Sequence, residues 1–350
     1  MSGKLADRLS RLIAVTGPIT VQHFMGEVAA HYYTARDPLG VTGDFITAPE
    51  ISQMFGEMIG IWLADIWQRA GRPAKLYYVE AGPGRGTLAR DALRAARRFG
   101  LAPAVHLIEA SPVLREAQRA LLPGAEWHHD LAALPDDGPL LVVANEYLDA
   151  LPVRQLVRIE AGWRERMVAF EDGRFVAVAG DRPMDAAVPP ERRTAPPGTI
   201  IETCPGAAAA VQAVAQRLAA QGGAALFIDY GFTFPATGSS LQAVRAHAKV
   251  DPFVDPGEAD LTALVDFAAL AEVAQAAGAR WLGTTEQGAF LTALGIGARA
   301  NVLRGAAPDQ AAALERLTGA AQMGVLFKVM GLAGSGWPDG AGFEKGDFGA

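Results

Sequence analysis

The sequence predicts an α/β protein built on a mostly parallel sheet, and three observations carry the prediction. From residue 75 onward, short apolar runs rich in β-formers alternate with helical stretches. The runs lack strict two-residue alternation, as expected of strands buried on both faces. One run ends in three closely spaced glycines and leads straight into a helix, "VEAGPGRGTLARDAL".

Residues 1–72 read as an N-terminal helical extension. Residues 4–15 are amphipathic, 20–33 are helical, and "ISQMFGEMIGIWLADIWQRAG" is a third helix stopped by Gly71 and Pro73. The sheet domain runs from 73 to 332. "KLYYVEAG" is its first strand and "TLARDALRAARRFG" its first helix. "AVHLIEA" is a second strand, "PVLREAQRALL" a helix, "AEWHHD" a weak strand and "PLLVVANE" a strong one. After residue 205 come an Ala-rich helix at 206–221, the strand "AALFIDYG", the helix "LTALVDFAALAEVAQAAG" and the late strand "MGVLFKVMGL". Between them, 154–200 alternates with period two around turn signals at Ala161-Gly162 and Asp172-Gly173, which predicts an antiparallel β insertion. A Pro-rich loop closes the insertion, and the Gly-rich stretch 333–350 is expected to be a flexible tail.

Composition narrows the function. The chain has 350 residues, half of them hydrophobic, and a net charge of −7, so a basic nucleic-acid footprint is absent. A single cysteine, Cys204, excludes a disulfide framework and a multi-cysteine zinc site; it reads as a small hydrophobe at an element end. His128 and His129 are the only adjacent histidines, no HxxxH or HExxH occurs, and no metal is expected. No apolar run is long enough to span a membrane. The expected setting is the cytoplasm.

The chemistry gathers at strand ends. Gly82, Gly84 and Gly86 allow a sharp turn and a close backbone approach to a ligand, beyond the carboxyl ends of the strands. Their spacing is E-x-G-x-G-x-G, beginning at Glu80. It is not the dinucleotide G-x-G-x-x-G, whose third glycine would fall on Thr87. That disfavours a NAD-linked dehydrogenase. It suits S-adenosylmethionine, which has no pyrophosphate to seat, and Glu80 matches its positive charges. Glu109 ends the next strand and can accept from ribose hydroxyls; its structural alternative is an acid at the start of the helix 112–122. Asp130-Leu131 follow the third strand, with Asp130 able to accept from an adenine amino group or simply to cap a turn. Asn145 and Glu146 end the fourth strand, where acceptors commonly bind. Asp149 would share a face with Glu146 if the turn were helical.

Upstream lies "GDFITAPEIS". Thr47 and Glu50 form T-x-x-E, a capping box for the apolar helix, with Pro49 in its first turn. Gly43, Asp44 and Phe45 are left unexplained by capping.

These segments, with "SLQAVRAHAKVDPFVDPGEADLTALVDF", together resemble the MidA family over roughly residues 5–330. The family is similar to the mitochondrial methyltransferase that assists assembly of respiratory complex I. The resemblance implies a Rossmann-like class I methyltransferase fold, S-adenosylmethionine as cofactor, and a protein acceptor. For the mitochondrial relatives it implies dimethylation of an arginine on a complex I core subunit. The composition suggests a bacterial relative; eukaryotic ones lie in the mitochondrial matrix. Tyr147 stands where Phe is more usual, and Ser239-Ser240 where Gly-Thr is common. On this reading Asp44, Glu50, Asn145, Glu146 and Asp149 are candidates for the acceptor site, because a guanidinium stays protonated and pairs best with carboxylates. A homodimer is one partner mode consistent with the sequence. A methyltransferase on another acceptor and a non-catalytic assembly protein remain alternatives.

Overall fold

A computed structural model describes residues 2–35, 47–234, 236–245, 248–303 and 309–343. The chain divides into two compact units. The larger comprises Ile46–Leu148, Ala208–Thr233 and Val265–Ala350. Its main strands, numbered along the chain, are β1 (Tyr77–Ala81), β2 (Ala104–Ile108), β3 (Glu126–His128), β4 (Leu140–Asn145), β5 (Gly223–Phe232), β6 (Arg280–Glu286) and β7 (Phe327–Ala333). Their order across the sheet is β3-β2-β1-β4-β5-β7-β6. Neighbours pair in parallel except β7, which is antiparallel to both β5 and β6. A two-residue strand, Val265–Asp266, adds to the end of β5 in parallel. Every residue of β4 is buried, so an unbroken apolar run forms the centre of the sheet.

Three helices position the site: α1 (Gln53–Arg69), α2 (Thr87–Arg97) and α3 (Pro112–Leu121). Helix α1 carries Trp62, Phe55 and Ile59 into the core. It meets α2 almost backbone to backbone: a Cβ at Gly60 would stand 2.1 Å from the Ala92 carbonyl oxygen. That close seat holds the start of α2, and with it the glycine turn, against the largest core cluster.

The smaller unit comprises Met1–Phe45, Asp149–Ala207 and Phe234–Leu264. Here the N-terminal helices Ser2–Thr16 and Val21–Ala35 share one core with the insertion, through Leu9, Phe24, Val168 and Phe175. The insertion is antiparallel, with strands Arg154–Ile159, Gly162–Glu171, Arg174–Pro183 and Ile200–Thr203. Asp172 and Gly173 both take positive φ at the hairpin tip, as their turn signal predicts. Ile19–Thr20 pairs with Val168 and Met167, which joins extension and insertion. The compact units therefore cut the chain differently from its linear order: the extension groups with the insertion, while α1 packs on the sheet.

Other boundaries also differ. The long apolar helix starts at Gln53, where the Ser52 hydroxyl accepts from the Met54 N–H. The helix expected over 261–278 starts only at Phe267, because Asp266 caps it by accepting from the Ala269 N–H, and the residues before it are extended. Strand β6 has no counterpart in the sequence reading, since "RWLGTTE" shows neither alternation nor an apolar run. Residues 334–343, expected within a flexible tail, pack onto the core: Trp62 Nε1 donates to the Ala341 carbonyl, and Phe343 meets Trp62 edge-on. Trp337 and Phe343 anchor this Gly-rich stretch, although residues 335, 336, 339 and 341 stay exposed.

Candidate cofactor and acceptor site

The turn after β1 is set by its three glycines. Gly82, Gly84 and Gly86 take φ of 64°, 54° and 86°. Side chains resist this left-handed region, so glycine is strongly favoured at each position. A Cβ at Gly82 would also lie 2.9 Å from the Tyr147 ring. Gly86 is the residue that opens α2, and the bare turn leaves the backbone accessible to a ligand at the start of that helix.

Glu80 is 2% exposed and lies within the strand–helix contact. The Tyr78 hydroxyl donates to Glu80 Oε2 at 2.6 Å, and the Ala89 backbone N–H donates to the same carboxyl. Burial pushes the carboxyl up to about 8, against the pull of those two bonds. Glu80 thus fastens the first turn of α2 to β1.

Glu109 stands just past β2. Its Oε1 accepts from the Ser111 N–H at 2.7 Å and its Oε2 from Gln118 Nε2 at 3.2 Å. Burial raises its pKa, opposed by these bonds. Both readings of Glu109 are therefore compatible with its position: it meets the start of α3 and stands at the strand end. Gln118 was missed by sequence reasoning. It is fully buried; its Nε2 also donates to the Gly84 carbonyl at 2.6 Å, and its Oε1 accepts from Trp127 Nε1 at 2.7 Å. One amide thus ties the glycine turn to Glu109. The available signal was a glutamine four residues after Leu114, on the buried stripe of an amphipathic helix.

Asp130 follows β3, and its Oδ1 accepts from the Ala132 and Ala133 N–H groups, opening a short 3-10 turn whose first residue is Leu131. Arg217 Nη2 donates to the Leu131 carbonyl. The capping reading describes what Oδ1 does.

At the end of β4 the backbone turns sharply: Glu146 has φ of 51°. Glu146 Oε1 accepts from the Ala48 N–H and from Asn145 Nδ2, both at 3.2 Å. Asn145 is buried, and its Oδ1 has no hydrogen-bond partner among the described residues. Asp229, within β5, accepts from the Leu148 N–H through Oδ2, which supports the same bend. Residues 146–149 are therefore not helical, and the shared helical face expected for Glu146 and Asp149 does not form. Asp149 is buried in the smaller unit, where its carbonyl accepts from the Ala263 N–H.

The capping box is also corrected. Thr47 precedes a four-residue helical turn, Ala48–Ile51, but its side chain makes no cap bond. Glu50 instead accepts from Thr87 Oγ1 at 2.6 Å. The stretch Thr47–Ile51 is thus tied twice to the ligand end of the sheet, once at Glu146 and once beside Gly86. The nearby acid Asp44, with Gly43 and Phe45, lies outside the described residues. Cys204 is half-buried near the Leu151 and Pro152 carbonyls, and burial pushes its thiol up, away from the thiolate a nucleophile needs. Among the described residues, no helix is long and apolar enough to cross a membrane.

Comparisons with known proteins agree with this geometry. The family model described as "Putative S-adenosyl-L-methionine-dependent methyltransferase" matches residues 58–285. A Burkholderia thailandensis protein solved with S-adenosyl-homocysteine bound superposes with a TM-score of 0.83 at 32% identity, covering 99% of this chain and 95% of that one. The Drosophila melanogaster "Protein arginine methyltransferase NDUFAF7 homolog, mitochondrial" is 37% identical over 94% of this chain and 85% of its own length. The human "Protein arginine methyltransferase NDUFAF7, mitochondrial" is 36% identical over 83% and 73%. S-adenosylmethionine is the cofactor, and its demethylated form occupies the Burkholderia relative. The bare glycine turn, the acid after β2 and the strand order are those of a class I methyltransferase. This chain therefore belongs to the MidA family of S-adenosylmethionine-dependent methyltransferases.

Proposed function

We propose that the chain methylates an arginine of a protein partner, and that the partner is a subunit of respiratory complex I taken up during assembly. The observation that carries the reading is the end of β4. A guanidinium is donor-only, with five N–H groups. Asn145 Oδ1 is a buried acceptor with no partner among the described residues, and the same amide donates through Nδ2 to the Glu146 carboxylate. Two acceptors side by side fit the guanidinium fork. The names of the relatives support the same acceptor, since they are protein arginine methyltransferases.

On this reading each residue has one task. Gly82, Gly84 and Gly86 admit the cofactor, and Glu80 holds the turn in place. Glu109 accepts from the ribose, while Asp130 and Leu131 bound the adenine. Bound S-adenosylmethionine supplies an electrophilic methyl group, whose bond to sulfur breaks as a bond to nitrogen forms. Asn145 orients the guanidinium, and Glu146 takes the proton that the methylated nitrogen must lose. Glu50, bonded to Thr87, positions the Thr47–Ile51 stretch. Orientation supplies most of the acceleration in such a displacement. The working location on this reading is the bacterial cytoplasm, with the relatives whose printed names say mitochondrial as its eukaryotic counterparts.

The test is labelled methyl transfer from S-adenosylmethionine into a lysate of the source cells, followed by mapping of the modified residue. Label on arginine of a complex I subunit supports the proposal. Label on another residue type sinks the arginine acceptor and leaves the family assignment standing.

A further inference from the structure

The cofactor chemistry leaves unused a cluster formed by the edge strand β3 and its neighbour β2. His106 Nδ1 lies 2.9 Å from His128 Nε2, with the rings stacked at 27°. Glu126 Oε2 is 3.9 Å from His106 Nδ1. The three ligand atoms all fall within 4.8 Å of one another. The register explains the meeting: Glu126 pairs with His106, and His128 lies two residues further along β3 on the same face.

We propose that His106, His128 and Glu126 form a binding site for a divalent transition-metal ion of the Zn2+ class. Two neutral imidazoles and one carboxylate are a common ligand set for such ions. Zinc–nitrogen bonds of about 2.0–2.1 Å in a tetrahedron put paired ligand atoms roughly 3.3 Å apart. The observed 2.9 and 3.9 Å lie on either side of that spacing, and the third edge is within 4.8 Å, so side-chain motion of Glu126 closes the triangle. The room to move exists, because the Glu126 side chain is 72% exposed while His106 is held by the core at 3%. His106 has a firm outer shell: the Tyr77 ring meets it edge-on, and the Tyr77 hydroxyl donates to Asp137. The open side toward Glu126 leaves the fourth position to water. A filled site pins β3, only three residues long and the last strand of the sheet, to β2.

The spacing hides this cluster from a motif scan. Its ligands come from two strands separated by a helix, so no HxxxH or HExxH pattern appears.

The experiment uses the full chain, stripped with a chelator and titrated with Zn2+ by calorimetry and with Co2+ by absorption. The expected result is one equivalent bound, visible Co2+ bands of a four-coordinate site, and a melting temperature raised by Zn2+. His128→Gln should weaken Zn2+ binding by at least about a hundredfold and Glu126→Gln by about tenfold, as ligand losses exceed the 10–100-fold typical of outer-shell changes or match its lower end. These two residues carry the test because His106 is buried and its replacement can unfold the chain. His23→Gln is the control, as His23 and Glu27 form a separate helical pair at 3.7 Å; that variant should bind as the parent does. Absence of a saturating equivalent overturns the proposal. So does binding that survives His128→Gln, which marks an adventitious ion only, or binding lost in His23→Gln, which places the ion at His23 instead.

Discussion

Strands β1 and β4 are neighbours, paired from Tyr77 opposite Leu140 to Ala81 opposite Ala144, yet their ends follow opposite plans. At the end of β1 the chain is pre-set. Three left-handed glycines form the turn, Glu80 fixes the helix that follows, and Gln118 ties Gly84 to Glu109. At the end of β4 a charged residue takes the left-handed conformation, and a buried amide oxygen has no partner among the described residues. Strain and an unmet acceptor both cost free energy, of order 1–3 kcal/mol each. Such costs persist where a second molecule relieves them. On the proposed reading the first end holds the cofactor in one geometry, and the second receives the acceptor's donor groups.

If that contrast is right, damage at β1 should appear as lost cofactor affinity and damage at β4 as lost rate. The largest effect is expected for Gly84→Val, which forces a β-branched side chain to φ of 54° and puts bulk on the ligand path. Calorimetry should find S-adenosyl-homocysteine binding gone. Unchanged affinity would move the site elsewhere.

Gln118→Leu comes next. It strips partners from the Gly84 carbonyl, Glu109 Oε2 and Trp127 Nε1 at once. A loss of about 2–4 kcal/mol in cofactor binding is expected, from two or more hydrogen bonds at about 1–2 kcal/mol each. Glu109→Ala should cost roughly 1–3 kcal/mol and Glu109→Gln less, since one acceptor oxygen remains. If both Glu109 variants bind normally but melt earlier, Glu109 serves only the helix.

Asn145→Ala sharpens the other side. Methyl transfer should fall at least about tenfold, or about 1.4 kcal/mol of barrier, with S-adenosyl-homocysteine affinity unchanged. Glu146→Gln should behave alike: the Gln carbonyl still accepts from Ala48, but no carboxylate remains to take a proton. Parent rates in both variants would leave the β4 end without a catalytic role. Glu50→Gln is the milder companion. It can still accept from Thr87, so an unchanged rate is expected if Glu50 only positions.

A separate readout, independent of cofactor and acceptor, is stability against pH. Glu80 releases its proton near pH 8 when folded and near 4.5 when unfolded. Between those values the folded chain holds the extra proton. The contribution of this group is therefore greatest below about 4.5 and falls as pH rises to about 8, by at most about 1.4 kcal/mol per pH unit. Denaturant melts from pH 5 to 8 should show a flatter profile for Glu80→Gln than for the parent. Equal slopes would mean that Glu80 is ionised throughout.

The sequence alone determined whatever depends on local conformation or on a short apolar period. The alternation of strands and helices pointed to a mostly parallel sheet, because a crossover helix between successive strands returns them in the same direction. The glycine turn was legible because left-handed φ is a demand that one residue type meets cheaply. Asp172-Gly173 announced a hairpin for the same reason. Tertiary structure decided where long polar side chains go. Glu50 looked like a cap for its own helix, but Thr87 was close enough in space to claim it. Glu146 and Asp149 looked like helical neighbours until the bend at φ 51° parted them. Gln118, fully buried, took its meaning from Gly84, Glu109 and Trp127, which reach it from three different segments. His106 and His128 are 22 positions apart and meet only because β2 and β3 lie in register. A hydrogen bond is decided by a few ångströms of distance and by direction. Neither is written in residue spacing once the partners lie on different elements.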